Sequence, residues 1–512
     1  MKRFKGVLAV ILCAAMLAGL PAMLGGCSFG TKTITVILPD WGNSVVKPVE
    51  DALNSRLKAL GYKNFQVAII WDAAFGERAK LAADTADTKV DIIMTNSWQK
   101  FKYDQYAAAG AFLRLDKPDK NWLANEGKGM YDLIPKFLWD DIKVNGPDGY
   151  GIYGAPCYKD YASWTNWDVN NTLLSELGFN FDEMNWDYNA VFDPQFEASL
   201  AAAKAKYPNM YPMIIEPMYA PFQMTNADFD YTQVGLFHFA HDPVNPALPE
   251  RPMASFVYDV PEVQKLIAKF EEFYQKGYID PRTTLKDEAG DARLGALNSA
   301  NYLYNCGNGG GPADAAEVSA ERGIDVREPY MTTRFVGAGC SKGAIFAISI
   351  YSKNYKEAIQ FLNLMNTDEV IATTLAFGVE GVHFTRNADG TLTRTEKGLQ
   401  EIGAWVRGIG NYMDLVPALD VNGPTFKEDF KAENSLAIPT AYVGFTFDPT
   451  PVETEIAALK NVYAEYNYRI ASGAGNAALM DEYRKKLNDN SLQKVLDEVN
   501  RQLDEFYKKK NG

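Results

Sequence analysis

Hydrophobic and polar positions along residues 33–115 follow two rhythms. Thr33–Leu38 (TITVIL), Asn64–Asp72 (NFQVAIIWD) and Val90–Thr95 (VDIIMT) carry short apolar or period-two runs that predict strands. Val45–Leu60, Phe75–Ala86 and the stretch near Lys100–Ala109 repeat apolar residues at helical spacing. Three strand–helix units in succession predict a mostly parallel sheet covered by helices on both faces, an α/β fold. Ligands of such sheets gather at the carboxyl ends of the strands. Asp40 and Trp41 follow the first strand, and Asn96 and Trp98 follow the third, so these four are placed to meet one.

Gly146–Pro156 (GPDGYGIYGAP) is dense in glycine and proline and predicts a hinge. A second α/β set follows. Strands are expected over Ala162–Asp168, Met210–Glu216 and Ala300–Tyr304, and helices over Asn171–Leu177, Phe196–Ala205 and Pro261–Lys276. Phe335–Ile350 reads as a strand pair, Tyr355–Met365 as a helix and Asn387–Thr391 as a hairpin turn. The tail is helical over Val452–Ile470 and Met480–Lys508. Asn305 to Pro312 form a glycine-rich loop that lacks the Gly-Lys-Ser/Thr ending of a phosphate loop, so close backbone approach is the better account of its glycines.

The first 26 residues change the picture of where the chain resides. A basic start (Lys2, Arg3, Lys5) precedes the apolar run Val7–Leu24, which is broken by Pro21 and is barely long enough to span a bilayer. It ends in Leu24-Gly25-Gly26-Cys27, which resembles a bacterial lipobox. That resemblance implies cleavage before Cys27, its acylation, and a tether over residues 27–32 holding the protein on the outer face of the cell membrane. The chain of 512 residues has 51 Lys and Arg against 65 Asp and Glu, a net charge of −14, and the leader takes three of the bases with it. So acidic a chain disfavours nucleic acid, and no basic patch offsets it. Cys157, Cys306 and Cys340 remain after Cys13 and Cys27; an odd three allow one disulfide at most and match no metal spacing, so small buried residues are expected.

Several stretches resemble the extracellular solute-binding proteins of carbohydrate ABC importers, in particular the LplA-like lipoprotein subgroup. They are Asp91-Ile92-Ile93 with Gly110–Asp116 (GAFLRLD), the crossover Tyr153-Gly154-Ala155-Pro156, and Ile348–Leu364. Phe377–Phe384 (FGVEGVHF) is similar to that subgroup's signature. Gly444–Asp448 (GFTFD), Pro451-Val452, Glu455 and Gln502-Leu503-Asp504 resemble its C-terminal domain of unknown function. The resemblance implies a two-lobed, periplasmic-binding-protein-like fold of the second type. Residues 33–155 and 323–366 would form the N-terminal lobe, and 156–322 with 367–512 the C-terminal lobe and its helical tail. It further implies a monomeric receptor, without cofactor or metal, that closes on an oligosaccharide and passes it to the permease subunits of an ABC importer.

A sugar presents apolar C–H faces to aromatic rings and hydroxyls to Asp, Asn and Glu. Trp41 and Trp98 with Asp40 and Asn96 suit that role in the first lobe. Lys159, Asp160, Tyr161 and Trp164 suit it just past the crossover. Trp164 and Trp167 are three apart, so in a strand they face opposite ways. Asn305 and Asn308 lie in a loop resembling one that carries a stacking aromatic in maltodextrin-binding relatives; three glycines stand in its place here. Trp71, Trp122, Trp139 and His383 are read as structural. Catalysis is disfavoured: there are three histidines, His238 and His241 sit near Pro243 and Pro246, and no Gly-x-Ser-x-Gly or His-Glu-x-x-His occurs. An oligopeptide receptor, a surface glycoside-active enzyme and an adhesion protein are the alternative readings.

Overall fold

A computed structural model describes residues 31–511 apart from 41, 43–44, 98–100, 163, 188, 216–226, 231–235, 240–252, 308–314, 333, 338 and 404–405. The leader, Cys27, Trp41, Trp98, His241 and Asn308 therefore lie outside the described residues.

The first lobe opens with β1 (Lys32–Pro39), α1 (Lys47–Ala59), β2 (Phe65–Asp72), α2 (Phe75–Asp84) and β3 (Ile92–Thr95). α3 (Tyr103–Ala108), α4 (Lys136–Asp141) and β4 (Ala155–Pro156) follow. β1 runs parallel to β2 from Lys32↔Phe65 to Pro39↔Asp72 and parallel to β3 on its other side. Flanked on both sides, it buries Ile34, Val36 and Ile37 completely, which is why its sequence is almost continuously apolar. The register brings Asp40, Asp72 and Asn96 to one carboxyl edge. The Gly/Pro-dense stretch read as a hinge is instead a hairpin of this lobe, Val144–Gly146 against Gly149–Gly151. Its glycines answer to packing: a Cβ on Gly146 would stand 2.5 Å from the Tyr153 ring.

The second lobe holds β5 (Asn166–Asn170), α5 (Pro194–Lys206), β6 (Met213–Ile214), α6 (Pro261–Gln275), β7 (Tyr304–Gly307), α7 (Ala315–Arg322) and β8 (Val326–Arg327). Its sheet runs β6-β7-β5-β8. The chain then forms β9 (Phe335–Val336) and β10 (Ile345–Ile348), followed by α8 (Tyr355–Met365) and α9 (Glu369–Phe377). β10 returns to the first sheet, antiparallel between β3 and β4, giving the order β2-β1-β3-β10-β4. The expected strand pair over 335–350 is thus two strands of different sheets. Both lobe boundaries move as well. Val326 pairs with Asn170, so residue 323 still belongs to the second lobe. Ile371 and Leu375 sit in the first core, and Arg56 of α1 grips Asp368 at 2.7 Å, so α9 stays with the first lobe beyond residue 366.

The last part contains α10 (Phe426–Ser435), β11 (Ile438–Pro439), which pairs in parallel with β9, and α11 (Glu453–Ala471), α12 (Ala477–Asp489) and α13 (Leu492–Asn511). The tail read as one helix over 480–508 is two, broken at Ser491, whose φ of 68° is left-handed. Leu459, Tyr466, Tyr483, Leu487, Val499 and Leu503 make a core shared with Tyr258 and Val263. α6 gives that core one face, through Val263 and Ile267, and the second-lobe core another, through Leu266, Phe270 and Phe273. Tyr258 donates its hydroxyl to Asn467 Oδ1 at 2.5 Å, so the helical tail and the second lobe are joined over one helix.

Candidate functional site at the lobe junction

Residues 157–165 and 329–344 carry the chain between the sheets; they are bonded to each other, and two further segments are pinned to them. Cys157 N–H donates to the Ala344 carbonyl at 2.9 Å and Tyr158 N–H to that of Gly410 at 3.1 Å. Burial pushes the Cys157 thiol up to about 12, with its Sγ facing the Gly408 carbonyl at 3.3 Å. Asn434 of α10 accepts the N–H groups of Tyr161 and Ala162 at 3.0 and 3.1 Å. The crossover is therefore held along α10 by backbone groups, leaving the side chains of 159–161 to other work.

Those side chains form a partly open cluster. Lys159 Nζ lies 3.0 Å from Asp160 Oδ1. The Tyr161 ring meets Phe137 of α4 edge to face, centroids 5.1 Å apart, and Phe137 is 38% exposed. On the same stretch of α10, Glu433 accepts the Tyr330 hydroxyl at 2.6 Å and closes an ion pair with Arg334. The Arg334 guanidinium also lies 4.7 Å over the Tyr330 ring. Burial, together with the Glu433 carboxylate, raises the Tyr330 hydroxyl well above the ordinary phenol range, so it stays a donor. Rings beside paired donors and acceptors suit a ligand with apolar faces and a hydroxyl rim.

The other sequence candidates are placed differently. Trp164 lies ahead of β5, which begins at Asn166, and the two tryptophans belong to different cores: Trp164 is 6% exposed in the cluster of Phe377 and Tyr412, and Trp167 is fully buried in the second lobe. Trp164 meets Tyr330 of the cluster in a T-shaped contact, centroids 5.8 Å apart, with little of its own surface left open. Asn96 is buried, its carbonyl taking the Tyr103 N–H at 2.9 Å. Asn305 is buried within β7, its Oδ1 without a partner, and pairs across the sheet with Asp168, which holds Arg322 of α7 at 2.5 Å. Asp40 keeps an edge position, accepting Gly42 N–H at 2.9 Å. Trp122 and Trp139 are core residues; Trp71 is half-buried. His383 is fully buried, Nδ1 accepting Val379 N–H at 2.9 Å and Nε2 facing Glu401 at 3.1 Å.

Phe137, Tyr330, Arg334 and Glu433 were not among the sequence candidates. They come from three segments nearly 300 residues apart along the chain, and no local spacing connects them. The weak signal was Glu328–Arg334, a polar and aromatic stretch between two strand predictions. Lys159, the one cation assigned to the site from sequence, is joined there by Arg334.

Two sheets joined by two crossing segments, with a cluster at their junction, make a two-lobed fold. Residues 441–508 match the domain of unknown function DUF3502. The chain is 26% identical over 415 residues to a carbohydrate ABC transporter substrate-binding protein of Streptococcus pneumoniae, covering 79% of this chain and 78% of that protein. Its structure is similar to the N-glycan transport solute binding protein of the same organism, with a TM-score of 0.78 and 21% identity over 94% of this chain and 100% of that one. Against the complex of that protein with Man5GlcNAc the TM-score is 0.69 at 22% identity, covering 94% and 99%. An HMO-binding, ABC-transporter-associated solute-binding protein of Bifidobacterium longum infantis scores 0.62 at 15% identity over 93% and 99%.

Proposed function

We propose that this chain is a receptor that captures an oligosaccharide between its lobes and delivers it to the permease of an ABC importer, anchored to the outer face of the membrane through Cys27. The observation that carries the reading is the junction itself. Aromatic and paired polar side chains from both crossovers and α10 lie where two lobes meet, so a ligand bound there contacts both lobes only when they close. The relatives named for carbohydrate and N-glycan transport support the same class of ligand. The relative's structures align to this chain at 0.78 in one case and 0.69 with Man5GlcNAc bound, in keeping with lobes that take more than one arrangement.

Phe137 and Tyr161 would stack on a sugar face, while Lys159, Asp160, Arg334 and Glu433 would meet its hydroxyls. Asp40, Trp41 and Trp98 would close the site from the edge of the first sheet, and Asn308 from the loop after β7. Asn96, Trp164 and Asn305 are assigned to the support of that site. No helix of the described residues is long and apolar enough to cross a membrane. We assign attachment to the Cys27 thiol, and replacing residues 1–27 with a leader that is cleaved without lipidation should release the protein into the medium.

Titration calorimetry against a panel of oligosaccharides tests the receptor. Binding of at least one glycan, recovered unchanged after overnight incubation, is the expected result. Recovery of shortened products would turn the reading toward a glycoside-active enzyme, and binding of peptides alone would turn it toward an oligopeptide receptor.

A further inference from the structure

The charged side chains of the junction come in matched pairs. Lys159 is paired with Asp160 at 3.0 Å, their side chains 12% and 28% exposed. Arg334 is paired with Glu433, at 24% and 31%. The two pairs are tied through the backbone: Asn434, which follows Glu433, accepts the N–H of Tyr161, which follows Asp160. Two further cations nearby are occupied by rings and carbonyls. Arg407 lies 4.8 Å over Phe430, and Lys427 covers Tyr412 while donating to its carbonyl at 2.9 Å.

We infer that the ligand of this site is an uncharged oligosaccharide, and that the paired carboxylates Asp160 and Glu433 exclude glycans bearing uronate or sialate groups. This rests on the receptor reading above. A sugar hydroxyl both donates and accepts, so vicinal hydroxyls match a cation beside a carboxylate, one of each role at fixed spacing. A ligand carboxylate can only accept, so of each pair it could use the cation alone. Approaching Lys159 or Arg334, it would meet a carboxylate already seated there, an arrangement that penalises the wrong ligand more than it favours the right one. The charge of −14 over the whole chain opposes the approach of anions at longer range.

A glycan array carrying neutral oligosaccharides beside their uronate or sialylated counterparts, followed by calorimetry on the best pair, tests this. The neutral member should bind about tenfold or more tightly than its acidic counterpart, the scale of like-charge exclusion at an interface. Glu433→Gln keeps an oxygen for Tyr330 and Arg334 but frees the charge of Arg334. The acidic member should then gain at least about threefold relative to the neutral one, at an unchanged melting temperature. Equal or tighter binding of the acidic member by the unaltered protein would overturn the inference and leave the receptor standing, as would a Glu433→Gln variant with the same preference. Binding of nothing on the array by a folded protein would remove the receptor reading and this inference with it.

Discussion

Phe137 and Tyr161 belong to different segments, a lobe-one helix and the first crossover, yet they share one edge-to-face contact of 5.1 Å. Phe137 is 38% exposed and Tyr161 only packs against the edge of the first-lobe core, which separates both from the buried Trp164. Phe137→Ala and Tyr161→Ala should each weaken glycan binding by about 1–3 kcal/mol, the loss of a stacked aromatic surface. Their melting temperatures should stay within a few degrees of the parent. A large fall in melting temperature with unchanged affinity would reassign both rings to the scaffold. Residue-scale chemistry was the least legible part of the sequence. Strand ends pointed to Asp40 and Asn96, but whether a tryptophan shows its face or hides it depends on what lies beneath. For Trp164 that is Phe377 and Tyr412, more than 200 residues away.

At the scale of elements, long periodic segments were legible and short ones were not. The helix expected over Tyr355–Met365 is found there, because seven of its eleven residues are buried and the pattern is strong. β6, β8, β9 and β11 are two residues each, too short for any periodicity. Position in a sheet is also invisible locally, which is why β9 and β10 read as partners. Two predictions belong here. Gly473, after α11, has φ of 78°, and a Cβ there would stand 2.2 Å from the Phe270 carbonyl oxygen of α6. Gly473→Ala should therefore destabilise the protein by about 2–4 kcal/mol, read as a fall in melting temperature, through backbone strain and overpacking. On α6, hydrogen bonds from Lys269 and Lys276 hold the Glu272 carboxyl down near 2. A depressed carboxyl stabilises the fold above its unfolded value, about 4.5, and loses that contribution as pH falls toward 2. Glu272→Gln should flatten that limb of the stability–pH curve, by a small amount because the pair is solvent-exposed.

For the whole molecule, the joint between the lobes has a third member besides the two crossovers. Asp141, at the end of α4, accepts Ser341 N–H at 3.0 Å and its hydroxyl at 2.8 Å, and also Gly444 N–H at 3.1 Å. Lys342, fully enclosed, reaches Asp104 of α3 at 3.1 Å and the Thr446 hydroxyl at 2.7 Å. The tail that shares α6 with the second lobe is thus fastened at its root to the first. Asp141→Ala would leave the buried N–H of Ser341 and the partly buried N–H of Gly444 without acceptors, at a cost of about 2–4 kcal/mol. It should also widen the distribution of lobe separations seen by small-angle scattering of the ligand-free protein. A scattering profile identical to the parent's would show that the fastening does not govern how far the lobes part.

β1 has a direction, and that direction sets the posture of the protein. It enters at Lys32 and leaves at Pro39, with the junction beyond its far end. A strand climbs about 3.3 Å per residue, so those two ends stand roughly 23 Å apart. A mooring upstream of Lys32 would hold the molecule by its base with the mouth raised clear of the lipid, where a branched sugar chain could enter without brushing the surface to which its captor is tied.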